Sequence, residues 1–526
     1  MIMSALEAHL IAATGWPQWA LRTLTTLGVM TVSVVCAETF QAARAKKDSG
    51  GDHQTGVIPK GFRLFQLQYL SVYLTIMLAD WLQGTNMYTL YDGYGVDIGS
   101  LFLTGFLSSA VFGTFLGIYV DKWGRRFGCI IFCVLEIIIN LLEHVNNFPL
   151  LLFGRVLGGM TTSILFSAFE SWMVTEHRKR NFPEKLLEST FSIASAGNGL
   201  VAIKAGVVAQ VAADVAGDIG PFQLAIFLTV VTLAMVWFWP ENKGDATALQ
   251  SITSGFKEAM QLIRRSPAML CLGLSQAFFE GGVYTFVFMW VPNMQLVAGT
   301  KDLPYGLIFS CFMLSMTLGG ALSGILIPYL GAHMMCITVY ICAACAMAVP
   351  IFMYDFWPVL VCFLSLECVL GMFNAGGGLL RSQFYPEEMQ SSLMSVFRIP
   401  LNLLVVFGTK LTSYAQKQGA ASLQKVFGVV VTMHLIALGF QLALRYLVSK
   451  EAAGSAEGAP VKKASKSSKG PVEDEPDGKK SETLRKRAST STGRGKSPKA
   501  GKSPKSAMKK SPAKRGASIS SPKKNR

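Results

Sequence analysis

Charge is scarce in this chain. Only 15% of its 526 residues are Asp, Glu, Lys or Arg, whereas 51% are hydrophobic and 11% aromatic. A soluble globular protein of this length carries about a quarter charged residues, so that class is excluded and a bilayer is the expected solvent. No Asn-x-Ser/Thr sequon occurs, which removes surface glycosylation as a clue. No soluble catalytic domain, phosphate-binding glycine loop or nucleophile–base spacing is visible, and an enzyme is not expected. The 10 cysteines fall almost entirely in apolar stretches, where they act as small hydrophobes and build no disulfide framework. Cys342-Ala-Ala-Cys345 has redox spacing but lies inside an apolar helix with no βαβ pattern, so it reads as structural. Neither a metal site nor a cofactor is predicted.

What charge there is sits mostly at one end. Residues 451–526 hold 21 Lys and Arg against 7 Asp and Glu, a net +14 of the chain's +16. The body therefore has no broad basic surface, and nucleic acid is not an expected partner. The tail is rich in Lys, Ser, Ala and Pro and too poor in large apolar residues to fold alone, so disorder is expected from 449 to 526. Ser497, Ser503, Ser511 and Ser521 each precede proline, which suits proline-directed kinases. The same basic stretch suits anionic lipid at about 1 kcal/mol per residue near a membrane surface.

Long apolar runs dominate the rest. A spanning helix needs about 20 apolar residues. Such runs occur near 63–91, 98–120, 127–145, 150–173, 188–212 and 221–239, then near 268–292, 304–328, 332–353, 357–380, 391–414 and 424–448. The expected class is an all-α membrane protein with two six-helix bundles, 61–240 and 268–448, joined by a polar linker at 241–267. Basic clusters at 177–180 and 264–265 alternate with the acidic connection holding Asp214 and Asp218, which puts even-numbered loops and the tail in the cytoplasm. Within 1–60, the apolar run Thr23 to Cys36 lacks a convincing cleavage site and predicts an extra membrane helix, with an interfacial anchor as the alternative.

Between the second and third runs stands Gly117-Ile-Tyr-Val-Asp121-Lys122-Trp-Gly124-Arg125-Arg126. Gly117 lets helices approach, Gly124 permits a tight turn, and the basic residues hold that turn on the cytoplasmic face. The segment resembles the signature loop of the major facilitator superfamily, which implies a cytoplasmic gate. Gly324 and Gly331 repeat the seven-residue spacing in the second half, without the Asp or the Arg pair.

Ionisable residues inside spans are costly and usually face a cavity. At 1.5 Å per residue, Glu280 lies about 18 Å into the seventh run and Glu367 about 15 Å into the tenth, near the midplane. Asp80 belongs to a polar and aromatic stripe, Tyr69, Tyr73, Asp80, Gln83 and Tyr91, which suits either a solute path or a packed polar seam. Arg155 heads Arg-Val-Leu-Gly-Gly, and Arg398 precedes Pro400, whose ring frees a carbonyl and kinks the helix. Asn198 and Gln276 add amide donors. Glu170, near the cytoplasmic end of the fourth run, reads as a gate partner for Arg125 or Arg126.

Three stretches, Ala79-Asp80-Trp-Leu-Gln83, Gly154-Arg155-Val-Leu-Gly-Gly159 and Leu165-Phe-Ser-Ala-Phe-Glu170-Ser-Trp172, are similar to those of the eukaryotic molybdate-anion transporter family of that superfamily. So are Gln276-Ala-Phe-Phe-Glu280 and Phe397-Arg398-Ile-Pro400; the likeness runs from about 62 to 446. It implies molybdate uptake at the plasma membrane by alternating access. On that reading Arg155, Arg398, Asn198 and Gln276 bind the oxyanion, while Glu280, Glu367 or Asp80 couples protons. A carrier of sulfate, sugar or peptide, or a transporter-like sensor without net flux, would fit the same pattern.

Overall fold

The computed structural model describes residues 9–48, 58–113, 116–243, 248–386 and 389–457. Fourteen helices of eight or more residues carry the described chain. A long helix, α1 (Gln18–Asp48), precedes the first half: α2 (Phe62–Tyr94), α3 (Ile98–Phe112), α4 (Leu116–Trp123), α5 (Arg125–Leu142), α6 (Phe148–Lys179), α7 (Glu184–Ala216) and α8 (Gly220–Trp237). A connecting helix, α9 (Ala248–Arg265), leads to the second half: α10 (Pro267–Ala298), α11 (Tyr305–Phe352), α12 (Phe356–Phe384), α13 (Gln390–Gln418) and α14 (Ala420–Glu457). The disorder expected of the tail concerns residues that lie, from 458 on, outside those described.

Helices occupy the expected apolar runs, with two differences. The second run divides into α3 and α4, whose junction includes the undescribed residues 114 and 115. The eighth and ninth runs continue as α11, interrupted at Gly331, where φ 73° and ψ 162° let the chain reverse without a Cβ clash. Helix starts follow ordinary capping. Ser266 Oγ accepts from Met269 N at 3.4 Å ahead of Pro267, and Asn147 Oδ1 accepts from Leu150 N at 3.3 Å ahead of Pro149.

By length and hydropathy alone, seven stretches qualify as spans, and two of these contain a pair of spans each. The long helices that fall short are informative. α2 carries Asp80, Gln83 and Asn86, α5 carries Glu136 and Asn140, and α10 carries Gln276, Glu280 and Asn293. Polar residues lower the hydropathy of α2 and α10, α5 carries three charged residues, Arg125, Arg126 and Glu136, and all three helices contribute to the polar clusters below.

Each half has its own core. Phe65, Phe132, Phe169 and Trp172 anchor the first, and Phe279, Phe286, Tyr340 and Phe363 the second. Among the described residues, the hydrogen bonds and ring pairs joining the halves cluster away from the basic loops, at what we term the far end. Tyr88 OH accepts from Gln416 Nε2 at 3.0 Å, Ser310 Oγ donates to Ile203 O at 2.8 Å, and Gly306 N donates to Gln210 Oε1 at 3.1 Å. Phe106 packs edge-on against Phe288 at 5.4 Å, and Trp81 lies 5.8 Å from Phe309. Gly206 and Gly306 meet backbone to backbone, leaving no room for a methyl group on either. The far end is therefore closed.

Helix α1 runs the depth of the bundle beside α11 and α12. Trp19 packs on Phe356 at 4.9 Å at the far end, Thr31 Oγ1 donates to Leu314 O at 3.3 Å midway, and Gln41 Nε2 donates to Tyr329 OH at 3.3 Å at the basic end. That path, and the apolar length of Gln18–Arg44, suit the expected extra membrane helix.

Candidate functional site

Three polar assemblies interrupt the apolar interior. The first occupies the basic end. Arg125 Nε lies 2.7 Å from Asp121 Oδ1, and its Nη1 reaches Ser171 O at 3.2 Å and Thr175 Oγ1. Gly124 has φ 132°, a conformation other residues rarely adopt, and its missing side chain leaves space for Glu241. That carboxylate accepts from Arg126 N at 3.0 Å and Phe127 N at 3.1 Å, capping the exposed N–H groups that begin α5. Arg126 Nη2 donates to Trp237 O at 2.6 Å. Trp172 stacks on Trp239 at 3.7 Å, holding the segment after α8 against α6. Gly117 and Lys122 fall in α4, Lys122 in its last turn.

The pairing expected of Glu170 is not what forms. Arg125, at the start of α5, takes Asp121 of α4 across the Gly124 turn, and Arg126 takes a carbonyl of α8. The Arg125 guanidinium reaches the Ser171 carbonyl, whereas Glu170 interacts electrostatically with Tyr69 and Tyr73 of α2. Adjacent residues on a helix diverge in direction by about 100°.

The second assembly lies inside the first half, between α2, α5 and α6. Arg155 Nη2 is 2.8 Å from Glu143 Oε1, and Nη1 is 3.1 Å from Met87 Sδ. Tyr91 OH donates to the same Glu143 oxygen at 2.8 Å, and its ring lies under the guanidinium at 5.9 Å. Deeper in, buried Glu136 accepts from Gln83 Nε2 at 3.2 Å and Asn140 Nδ2 at 3.4 Å, with Asp80 within electrostatic range. The stripe on α2 thus includes a packed seam. Arg155 is already neutralised there. Asn198 accepts from Trp81 Nε1 at 2.9 Å, a separate link between α7 and α2.

The third assembly belongs to the second half and has a different balance. Gln276 bridges two helices: its Oε1 accepts from Arg381 Nη1 at 2.9 Å, and its Nε2 donates to Gly377 O at 3.2 Å. One turn along α10, Glu280 interacts electrostatically with both Arg381 and Arg398. Tyr284, Tyr340 and Tyr385 surround this group. Phe397 sits over Gly273 and stacks on Tyr385 at 6.4 Å, which fixes the turn of α13 that presents Arg398. Arg398 is exposed, while Arg381 and Glu280 are half-buried. Two guanidinium groups thus lie within electrostatic range of one carboxylate.

Glu367 stands apart from those cations. It is buried in α12, and its Oε2 has no hydrogen-bond partner among the described residues. The sequence reading did not single out Arg381, Glu136 or Glu143. Glu136 is a lone carboxylate in an apolar run and was open to the argument applied to Glu280; Arg381, close to a helix end, has the pattern of an interfacial residue.

Two six-helix halves, a basic turn capped between helices and polar clusters inside each half define a membrane transporter of the major facilitator type. The family model described as sugar transporters with 12 transmembrane segments matches residues 28–375. A molybdate-anion transporter of Xenopus tropicalis is 32% identical over 70% of this chain and 83% of its own. One from Takifugu rubripes is 29% identical over 73% and 88%. Among solved structures, the nucleoside transporter NupG aligns with TM-score 0.54 and 13% identity, covering 72% of this chain and 98% of its own. A bacterial homologue of the human lysosomal transporter Spinster aligns with TM-score 0.58 and 13% identity over 74% and 98%. The chain belongs to the molybdate-anion transporter family of the major facilitator superfamily.

Proposed function

We propose that this chain moves molybdate across the plasma membrane by alternating access, with the anion held in the second half by Arg381, Arg398 and Gln276. One observation carries the reading: Arg381 is fixed on Gln276 at 2.9 Å, with Glu280 a turn away in the field of both guanidinium groups. A dianion loses its hydration on entering the protein and needs more than one cation and several donors in return. Arg381 and Arg398 against Glu280 leave one net positive charge. A dianion brings the site to one net negative charge, and a proton on Glu280 restores neutrality. Coupling to a proton therefore follows from charge balance, with Glu280 as the carrier ahead of Asp80 and Glu367. Arg155, expected from sequence to bind the anion, instead holds the first-half wall together through Glu143, and Asn198 helps to position Trp81 beside the path. The basic end faces the cytoplasm, as does the tail, whose Ser-Pro sites and lysines suit kinases and anionic lipid.

The test is initial-rate uptake of nanomolar molybdate, read as cell molybdenum by mass spectrometry, in cells lacking their own carrier. Uptake above empty cells that excess sulfate or sugar does not abolish supports the reading. Uptake no greater than in empty cells contradicts it and favours another solute or a sensor without flux.

A further inference from the structure

Helix α1 touches both halves, but in different ways. Along its length it is attached to the second half, through Trp19 on Phe356 and Trp357, Thr31 on Leu314 and Gln41 on Tyr329. Its link to the first half lies just before its start, at the far end. Trp16 Nε1 donates to Asp214 Oδ2 at 2.6 Å, Gln210 Nε2 donates to Asp214 Oδ1 at 2.9 Å, and Gly306 N donates to Gln210 Oε1 at 3.1 Å. One hydrogen-bonded path thus runs from the leader of α1, through the end of α7, to the first turns of α11. Trp16 is held for this role: its N donates to Thr14 Oγ1 at 3.2 Å, Pro17 follows, and its ring is buried with Ala20, Leu21 and Leu307.

The path crosses the seam that must open when the halves rock. Gly206 against Gly306 and Ser310 on Ile203 belong to that seam and separate in a far-end-open state. Helix α1 moves with the second half, so Trp16 leaves Asp214 in the same step. A contact made in one state and lost in the other shifts the equilibrium by its own free energy. We propose that α1 is a conformation-selective clamp, tied to the first half through Trp16 and Asp214 only while the far end is closed, and that it biases the carrier toward that state. The proposal rests on the alternating-access reading but not on the identity of the solute.

The test uses the full chain with a reporter, Thr409→Cys. Thr409 is buried in the far-end closure, beside Tyr88, Phe102, Phe288 and Ser413. Labelling by a membrane-impermeant maleimide is measured on intact cells, above the background of the chain without the reporter and at matched surface abundance. Trp16→Phe removes the donor and keeps an aromatic ring on Leu21 and Leu307. Loss of one hydrogen bond to a charged acceptor predicts a labelling rate about tenfold higher or more. Asp214→Ala, at an exposed position, gives at least the same rise, and the double variant gives no more than Asp214→Ala alone. Unchanged labelling in Asp214→Ala, or effects that multiply in the double variant, would overturn the clamp even if molybdate uptake is confirmed.

Discussion

Arg155 and Glu143 form an ion pair of 2.8 Å inside the first half, with side-chain exposures of 12% and 1%. The pair decides how the two halves share the work. It neutralises Arg155 within the first half, whereas in the second half Arg381 and Arg398 both lie in the field of the single carboxylate of Glu280.

Removing one partner of such a pair strands a buried charge at a cost of about 3–5 kcal/mol. Arg155→Ala is therefore expected to lower the folded, membrane-inserted amount of the carrier. Arg155→Leu with Glu143→Leu is expected to recover most of it. Fluorescence size-exclusion chromatography of detergent extracts over a temperature series reads both. A well-folded Arg155→Ala carrier with no uptake would return Arg155 to the anion site.

Glu241 and Gly124 make a second testable unit. Gly124→Ala places a side chain at φ 132° against the Glu241 carboxylate, combining backbone strain of about 1–3 kcal/mol with loss of the cap. Glu241→Gln keeps acceptor capacity but loses the charge at the start of α5, costing about 0.3–1 kcal/mol. The thermal midpoint should fall in both, further in Gly124→Ala. The reverse order would show that the cap charge outweighs the turn.

Glu280→Gln removes the titrating group while keeping a side chain of similar size beside Arg381 and Arg398. Binding should persist or tighten, because the internal competitor for the cations is gone. Uptake should slow and lose its dependence on external pH. Full rate with unchanged pH dependence in Glu280→Gln, together with loss of that dependence in Glu367→Gln, would move the coupling role to Glu367.

Sequence patterning reached the helices and the turn at Gly124 because both are local: apolar length, capping residues and glycine act within a few residues of themselves. It also reached Gln276, Glu280 and Arg398, since a polar residue in a span stands out against its neighbours. Partnership was not legible. Nothing in the spacing says that Arg155 meets Glu143 after a helical reversal, that Glu241 returns from the end of α8 to cap α5, or that Gln276 holds Arg381 more than a hundred residues on. Helix rotation decides such pairs, as Glu170 illustrates: it lies next to the residue Arg125 touches and points elsewhere.

The central claim is that the second-half guanidinium groups hold the anion. Its most direct measurement is molybdenum uptake by Arg381→Ala and Arg398→Ala carriers against the parent at matched surface abundance. The account predicts that each falls by about tenfold or more, as removal of a charge-assisted contact worth about 1.5–3 kcal/mol requires, with Arg381→Lys recovering only part because lysine lacks the fork that holds Gln276. Uptake within twofold of the parent in both alanine variants would contradict it and place the anion elsewhere in the carrier.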